Sequence, residues 1–288
     1  MAYFNAQIID WRFAESARLK VCRGQWKKMF SEREIYLGLQ RKEFLPYLQP
    51  MFDLIDGSFI GAEVLARWIH PERGMLMPSA FLDTVIEKGM MDDVFFELLE
   101  QGLDVHRYSS HGALPMKLAF NVHPVQLANK DFAIRVNSVL RSHAVSASNV
   151  SFELTESGSL DDGSSTFENL YNLRVMGCGL VIDDFGVGYS SLQRLFELPF
   201  TELKIDASFV ASILTSPRCS DIVESILALA NTLEMTVIAE GIETECQLSK
   251  LRELGCSFGQ GYLYSKPLSP DEMLCWLEEG EGRAWLPL

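Results

Sequence analysis

Residues 179–192 read GLVIDDFGVGYSSL. An apolar run, Leu180-Val181-Ile182, stops at two adjacent carboxylates, Asp183 and Asp184, and a glycine-rich stretch follows. Just upstream, residues 164–176 carry helical spacing, and Gly177 holds the place of a helix C-cap. A short continuous apolar run entered from a helix is the signature of a strand buried on both faces of a parallel sheet. The same unit recurs along the chain. Residues 117–122 (KLAFNV), 150–154 (VSFEL), 201–205 (TELKI), 236–239 (TVIA) and 257–262 (SFGQGY) read as strands. Residues 131–142, 219–233, 243–254 and 270–279 read as helices, with Gly255 as a second C-cap. Further upstream, 44–54 and 58–68 flank Asp56-Gly57, a strong hairpin signal. The expected fold class is therefore α/β, a modified TIM (β/α)8-type barrel that begins with an antiparallel strand pair. Strand–helix units over most of 288 residues suit a closed barrel of about 250 residues better than an open doubly wound sheet, the structural alternative.

Composition narrows the function classes. With 48% hydrophobic residues the chain can bury a sizeable core. A net charge of −14 argues against a binder of nucleic-acid duplexes, which presents a basic face. It does not argue against a phosphate-bearing ligand, because carboxylates that hold divalent cations reverse the local sign. The cysteines (Cys22, Cys178, Cys219, Cys246, Cys256 and Cys275) form no C-x-x-C pair and no zinc-type cluster, so reduced thiols in a cytoplasmic protein are expected. No basic-then-apolar leader opens the sequence, and no apolar run approaches the ~20 residues of a transmembrane helix, so membrane insertion is not expected. Residues 1–30 are basic through Arg12, Arg18, Lys20, Arg23, Lys27 and Lys28, with Trp11 and Trp26 among them. They read as a separate helical extension ahead of a barrel over 31–288: an amphipathic helix packed on the barrel or, alternatively, an arm that docks a partner or contacts nucleic acid.

The polar residues fall in a pattern. Nearly every expected strand carries one at or near its C-terminal end: Asn121, Glu153, Asp183 with Asp184, Glu240 and Gln260. Lys204 lies inside ELKID, and the hairpin strand adds Glu63. Singly, each has an ordinary reading: a strand-end Asp caps a helix or turn, a strand Glu is salt-bridged, Lys204 pairs with Asp206. Together they converge, because the C-terminal strand ends of an α/β barrel share one mouth. Clustered carboxylates there cost several kcal/mol to desolvate unless neutralised. Oxygen donors and one amide, without His or Cys, suit Mg²⁺ or Mn²⁺. Strand side chains alternate, so Asp183 and Asp184 can serve one centre only where the strand ends and the backbone turns. One would bridge two ions roughly 3.5–4 Å apart while the other binds the second, an arrangement suited to phosphoryl hydrolysis.

At these residues the sequence resembles the EAL domain family, bacterial cyclic di-GMP phosphodiesterases. The resemblance runs from about residue 31 to the C-terminus. It is carried by YLQP (47–50), GAEVLARWIHPERG (61–74), NVHPVQL (121–127), FELTES (152–157), VIDDFGVGYSSL (181–192), LKIDASFV (203–210), VIAEGIET (237–244) and GQGYLYSKPL (259–268), in family order. The resemblance implies hydrolysis of cyclic di-GMP to linear pGpG with two Mg²⁺ or Mn²⁺ ions. Glu63, Asn121, Glu153 and Asp183 would hold the first ion, and Asp183, Asp184 and Glu240 the second. Lys204 would hydrogen-bond the attacking water. Glu240 is also a candidate general base, although a hydroxide between the ions would need none. Gln49, Leu65, Arg67, Asp206 and Gln260 would contact substrate, with Arg67 suited to a phosphate oxygen. Glu156 would anchor the mobile loop over 185–191, and Glu243 would support the strand end of Glu240. The family also implies a homodimer through residues 184–191. Read as a dinucleotide fingerprint, G-V-G-Y-S-S lacks the third glycine.

The sequence departs from the family pattern in places. The signature Glu-Ala-Leu is Glu63-Val64-Leu65, Ala66 replaces a larger aliphatic residue, Val187 stands where Thr is common, and His123 replaces Ser. None removes an implied ligand. They do motivate a second function class, a catalytically silent cyclic di-GMP receptor or interaction scaffold. A third, an enolase-type proton abstractor with acidic ligands and a Lys base, fits the residue types but not Arg67 or the paired aspartates.

Overall fold

A computed structural model of the chain describes residues 30–110, 116–155, 164–186 and 191–279. Among the described residues two compact units are traced, one within residues 30–46 and 66–101, the other within 47–65 and 102–279.

The barrel strands are β1 (Phe44–Asp53), β2 (Phe59–His70), β4 (Lys117–Asn121), β5 (Val150–Thr155), β6 (Gly179–Phe185), β7 (Glu202–Ile205), β8 (Thr236–Ala239) and β9 (Phe258–Gln260). β2, β4, β5, β6, β7, β8 and β9 run parallel in that order, β1 joins β9 antiparallel, and a β1–β2 pairing closes the ring. The α/β barrel with an antiparallel first pair is thus the fold the sequence implies. The hairpin turn is made as its residues dictate: Asp53 and Asp56 accept backbone N–H bonds from Ile55 and Ser58, and Gly57 adopts φ 74°. β5 and β7 are buried at every position, including their charged residues Glu153, Glu202 and Lys204. The helices between strands match expectation closely, including Ser164–Met176 and Pro270–Glu278. Gly177 (φ 101°) and Gly255 (φ 88°) end their helices in the left-handed region.

The first unit has its own core of Phe30, Ile35, Phe44, Trp68, Phe81, Val85, Val94 and Leu98. Phe44 stacks on Trp68 at 5.0 Å, and Trp68 Nε1 donates to Glu43 Oε2 at 2.9 Å. Its β3 (Gly74–Leu76) pairs antiparallel with the end of β2. Three helices here, Glu32–Gln40, Pro78–Glu87 and Met91–Ser110, carry no expectation from the sequence. Pro78–Glu87 is preceded by Met77, which offers no side-chain cap, and its start is marked only by Pro78 at the first helical position.

Two further expectations meet the structure. The strand at 179–182 does not end before the aspartates but runs on to Phe185. Cys178, Cys219, Cys246, Cys256 and Cys275 are free thiols, and burial pushes Cys178 and Cys256 up to about 11. The readings made for residues 1–29, Glu156 and Val187 lie outside the described residues. Among the described residues, no helix is long and apolar enough to cross a membrane.

Candidate metal and active site

The polar strand-end residues do converge. Asn121 closes β4 and lies opposite Glu153 of β5; Gln260 closes β9; Glu240 follows β8, its N–H bonded to the Ile205 carbonyl at 3.1 Å. Glu63, Glu153, Asp183 and Lys204 are fully buried, and Glu240 almost so.

Lys204 is the hub. Its Nζ lies 2.7 Å from Glu63 Oε2, 2.9 Å from Glu153 Oε2 and 2.8 Å from Glu240 Oε1. Burial alone would push this ammonium down, yet Glu153, Glu240, Glu63 and Asp183 together hold it well above its ordinary value. The plain pairing of Lys204 with Asp206 is not what forms. Asp206 instead caps the helix Ala207–Ser212, its Oδ1 accepting from the N–H and the hydroxyl of Ser208.

Amides complete the ring. Gln260 Nε2 donates to Glu63 Oε2 at 2.6 Å and to Glu240 Oε1 at 3.0 Å. Asn121 Nδ2 donates to Glu63 Oε1 at 3.0 Å. The carbonyl oxygens of these two amides, Asn121 Oδ1 and Gln260 Oε1, are buried and have no hydrogen-bond partner among the described residues.

The adjacent aspartates share one centre through a bulge, not a strand end. Between β6 and β7 the register passes from Ile182↔Leu203 to Phe185↔Ile205, so β6 carries one extra residue. Asp184 takes φ 56° and its N–H donates to Asp183 Oδ1 at 3.0 Å. The result brings one oxygen each from Asp183, Asp184 and Glu240 within 4.8 Å of one another. These are hard oxygen donors. The set fits Mg²⁺ or Mn²⁺.

The remaining expected residues are dispersed. Gln49 is buried on β1, its Nε2 donating to the Ser265 carbonyl at 2.5 Å. Leu65 is buried, and Arg67 is buried with Nη1 donating to the Ala66 carbonyl at 2.8 Å. Glu243 is exposed; its N–H bonds Gln247 Oε1, and no side-chain bond from it to Glu240 is seen among the described residues. Sequence reasoning passes over Glu202, a buried acid near the opposite strand ends. It takes Lys117 Nζ at 2.6 Å and Ser151 Oγ at 3.1 Å. Its signal, an acid within an apolar run, is the same one that marked Glu153.

Comparison with known proteins places this geometry. The EAL domain family matches residues 32–267. The cyclic di-GMP phosphodiesterase RocR of Pseudomonas aeruginosa is 43% identical over 85% of this chain and 62% of its own. The cyclic di-GMP phosphodiesterase NbdA of the same organism is 35% identical over 82% of this chain and 30% of its own. The chain therefore spans less than two thirds of these relatives. Among solved structures, the PaMucR phosphodiesterase in complex with c-di-GMP superposes with a TM-score of 0.78 at 33% identity, covering 84% of this chain and 98% of that one.

Proposed function

This chain belongs to the EAL domain family, and from that premise we propose that it is a divalent-cation-dependent phosphodiesterase that hydrolyses cyclic di-GMP to linear pGpG. The observation that carries the proposal is the convergence of Glu63, Asn121, Glu153, Asp183, Asp184, Lys204 and Glu240 at one barrel mouth. Glu63, Asn121, Glu153 and Asp183 would hold one ion, and Asp183, Asp184 and Glu240 the other. Such ions supply Lewis-acid polarisation of the phosphoryl oxygen and a lowered water pKa.

The chain's own groups do the rest. Lys204 Nζ orients the attacking water by hydrogen bonding. Glu240, whose Oε1 accepts from Gln260, would accept the water proton unless a hydroxide between the ions makes a base unnecessary. Arg67 meets a phosphate oxygen, and its planar guanidinium suits that contact better than an ammonium. Gln49, with its amide nitrogen fixed on Ser265, presents its oxygen to substrate. Leu65 supplies apolar contact. Asp206 contributes through Oδ2, since Oδ1 caps a helix. By the family resemblance Glu156, outside the described residues, would anchor the loop over 185–191, and Glu243 would support the strand end of Glu240. A cytoplasmic location belongs to this proposal, as does a homodimer through residues 184–191. Phe196, 91% exposed on the helix Ser191–Glu197, supports the dimer, and Phe196→Glu is expected to shift the mass in solution towards monomer by light scattering.

The deciding experiment incubates pure protein with cyclic di-GMP in Mg²⁺ and in Mn²⁺ and follows pGpG by chromatography. Turnover is expected in at least one. Tight cyclic di-GMP binding without product, from folded protein in either metal, would favour a silent receptor.

A further inference from the structure

We propose that Lys204 is a built-in counter-cation for the site carboxylates, competing with a divalent ion for the same lone pairs, and that it yields Glu63 and Glu153 when the ion binds. The proposal rests on the reading of this cluster as a divalent-cation site, and it concerns Lys204's part in filling that site, not its part in hydrolysis.

The hydrogen-bond count carries it. A carboxylate oxygen has about two good acceptor directions. Glu63 Oε2 already takes two donors, Lys204 Nζ at 2.7 Å and Gln260 Nε2 at 2.6 Å, and Glu63 Oε1 takes Asn121 Nδ2. Glu240 Oε1 likewise takes Lys204 and Gln260. An ion can reach Glu63 Oε2 or Glu240 Oε1 only by displacing one of these donors. Both amides meanwhile present nitrogen to the carboxylates and leave Oδ1 of Asn121 and Oε1 of Gln260 buried without a partner among the described residues. A cation needs the reverse presentation, oxygen inward. Every donor that faces Glu63 is thus arranged as it would be around a positive charge supplied by the protein itself. Lys204, with three glutamates from three different elements within 2.9 Å, is that charge. An ammonium and a dication sharing these carboxylates repel each other strongly in a buried site. Lys204 therefore stabilises the protein without metal at the expense of metal affinity. Once displaced from Glu63 and Glu153, its Nζ is available to a water at the same mouth.

The test uses the full chain, Mn²⁺ alone as probe, and no nucleotide. Mn²⁺ affinity is measured by calorimetry, and melting is followed in chelator and in Mn²⁺, for wild type, Lys204→Met and Lys204→Gln. Lys204→Met is expected to melt below wild type in chelator, to bind Mn²⁺ about tenfold more tightly or better, and to show the larger Mn²⁺-induced rise in Tm. A merely structural lysine would lower Tm in both conditions and leave affinity unchanged or weaker, and that result overturns the proposal. If Lys204→Met folds only with Mn²⁺, Lys204→Gln, which keeps a donor without the charge, decides: tighter Mn²⁺ binding than wild type supports the proposal, equal or weaker binding overturns it. Tighter Mn²⁺ binding in the Lys204 variants, beside wild type that hydrolyses nothing in either metal, sinks the phosphodiesterase reading and leaves this one standing. Wild-type turnover without any gain in the variants does the opposite.

Discussion

Asp184 sits in the left-handed region at φ 56°, where Asp and Asn are tolerated and branched side chains are not. Its place in the bulge of β6 turns two neighbours toward one centre. Asp184→Asn is expected to keep the melting temperature close to wild type while losing metal-dependent turnover. Asp184→Val should lose both, with about 1–3 kcal/mol of stability gone, read by urea denaturation. Equal stability for the two variants would show that the backbone strain is unimportant. Glu63→Ala is expected to lose turnover by more than about 100-fold while its circular dichroism spectrum matches wild type; retained turnover would remove Glu63 from the site. At this scale the sequence was informative in type and incomplete in contact. Glu63, Asn121, Glu153, Asp183, Lys204, Glu240 and Gln260 are all legible as polar groups at apolar strand positions. That Lys204 clasps three glutamates is not legible, because Glu63, Glu153 and Glu240 lie 141, 51 and 36 residues away along the chain and only barrel closure joins them. The bulge was hidden for a related reason: an extra residue in a strand shows only against its partner's register.

The elements hold these residues through close backbone approaches. Gly261 follows Gln260 directly, and a Cβ there would lie 2.1 Å from the Ile242 carbonyl oxygen and 2.2 Å from its nitrogen. Those backbone atoms are pinned: Ile242 N–H bonds the Gln260 carbonyl, and Leu263 N–H bonds the Ile242 carbonyl. Gly261→Ala must therefore push the end of β9 from the turn after β8, loosening Gln260 from Glu240. The expected cost is about 1–3 kcal/mol by urea denaturation, together with loss of turnover; a stable and active variant would contradict the approach. On the helix Met91–Ser110, His106 is buried, with Nε2 at 3.3 Å from Asn149 Nδ2. Burial pushes its pKa down, only partly offset by a backbone bond at Met116. The sign follows: above about pH 6.5 the ring is neutral folded and unfolded, and its contribution is complete. As pH falls below that, the unfolded chain takes the proton first, so stability declines until the folded-state pKa is passed. The stability gap between wild type and His106→Leu should shrink between pH 7.5 and 5, and a constant gap would reject the assignment. Strand–helix alternation was readable because the buried parallel strands are short and mostly apolar and stretches of helical spacing separate most of them. The helix Pro78–Glu87 was not read, since Met77 provides no side-chain cap and Pro78 at the first helical position was its one start signal.

For the whole molecule, sequence reading reached the barrel because each strand and helix announces itself locally and the parallel order follows from their alternation. The division of the described residues into one unit within 30–46 and 66–101 and another within 47–65 and 102–279 was out of reach, because no composition shift marks it. Charge is the property that acts at this scale. The chain carries −14, which opposes compaction through self-repulsion. Exposed pairs such as Arg107–Asp104 and Lys250–Glu253 add little against it. Raising NaCl from about 0.01 M to about 1 M shortens the Debye length from about 30 Å to about 3 Å, so in chelator the melting temperature should rise with salt. Mn²⁺ held by buried donors responds differently. At a free concentration near 100 times its Kd it should add about 2.7 kcal/mol, and most of that increment should survive high salt, because Glu63, Glu153 and Asp183 are closed to solvent and poorly screened. Thermal melts at both salts, with chelator or with the same free Mn²⁺, measure the two effects separately. An increment that vanishes at 1 M NaCl would place the Mn²⁺ on the solvated acidic surface and not in the barrel mouth.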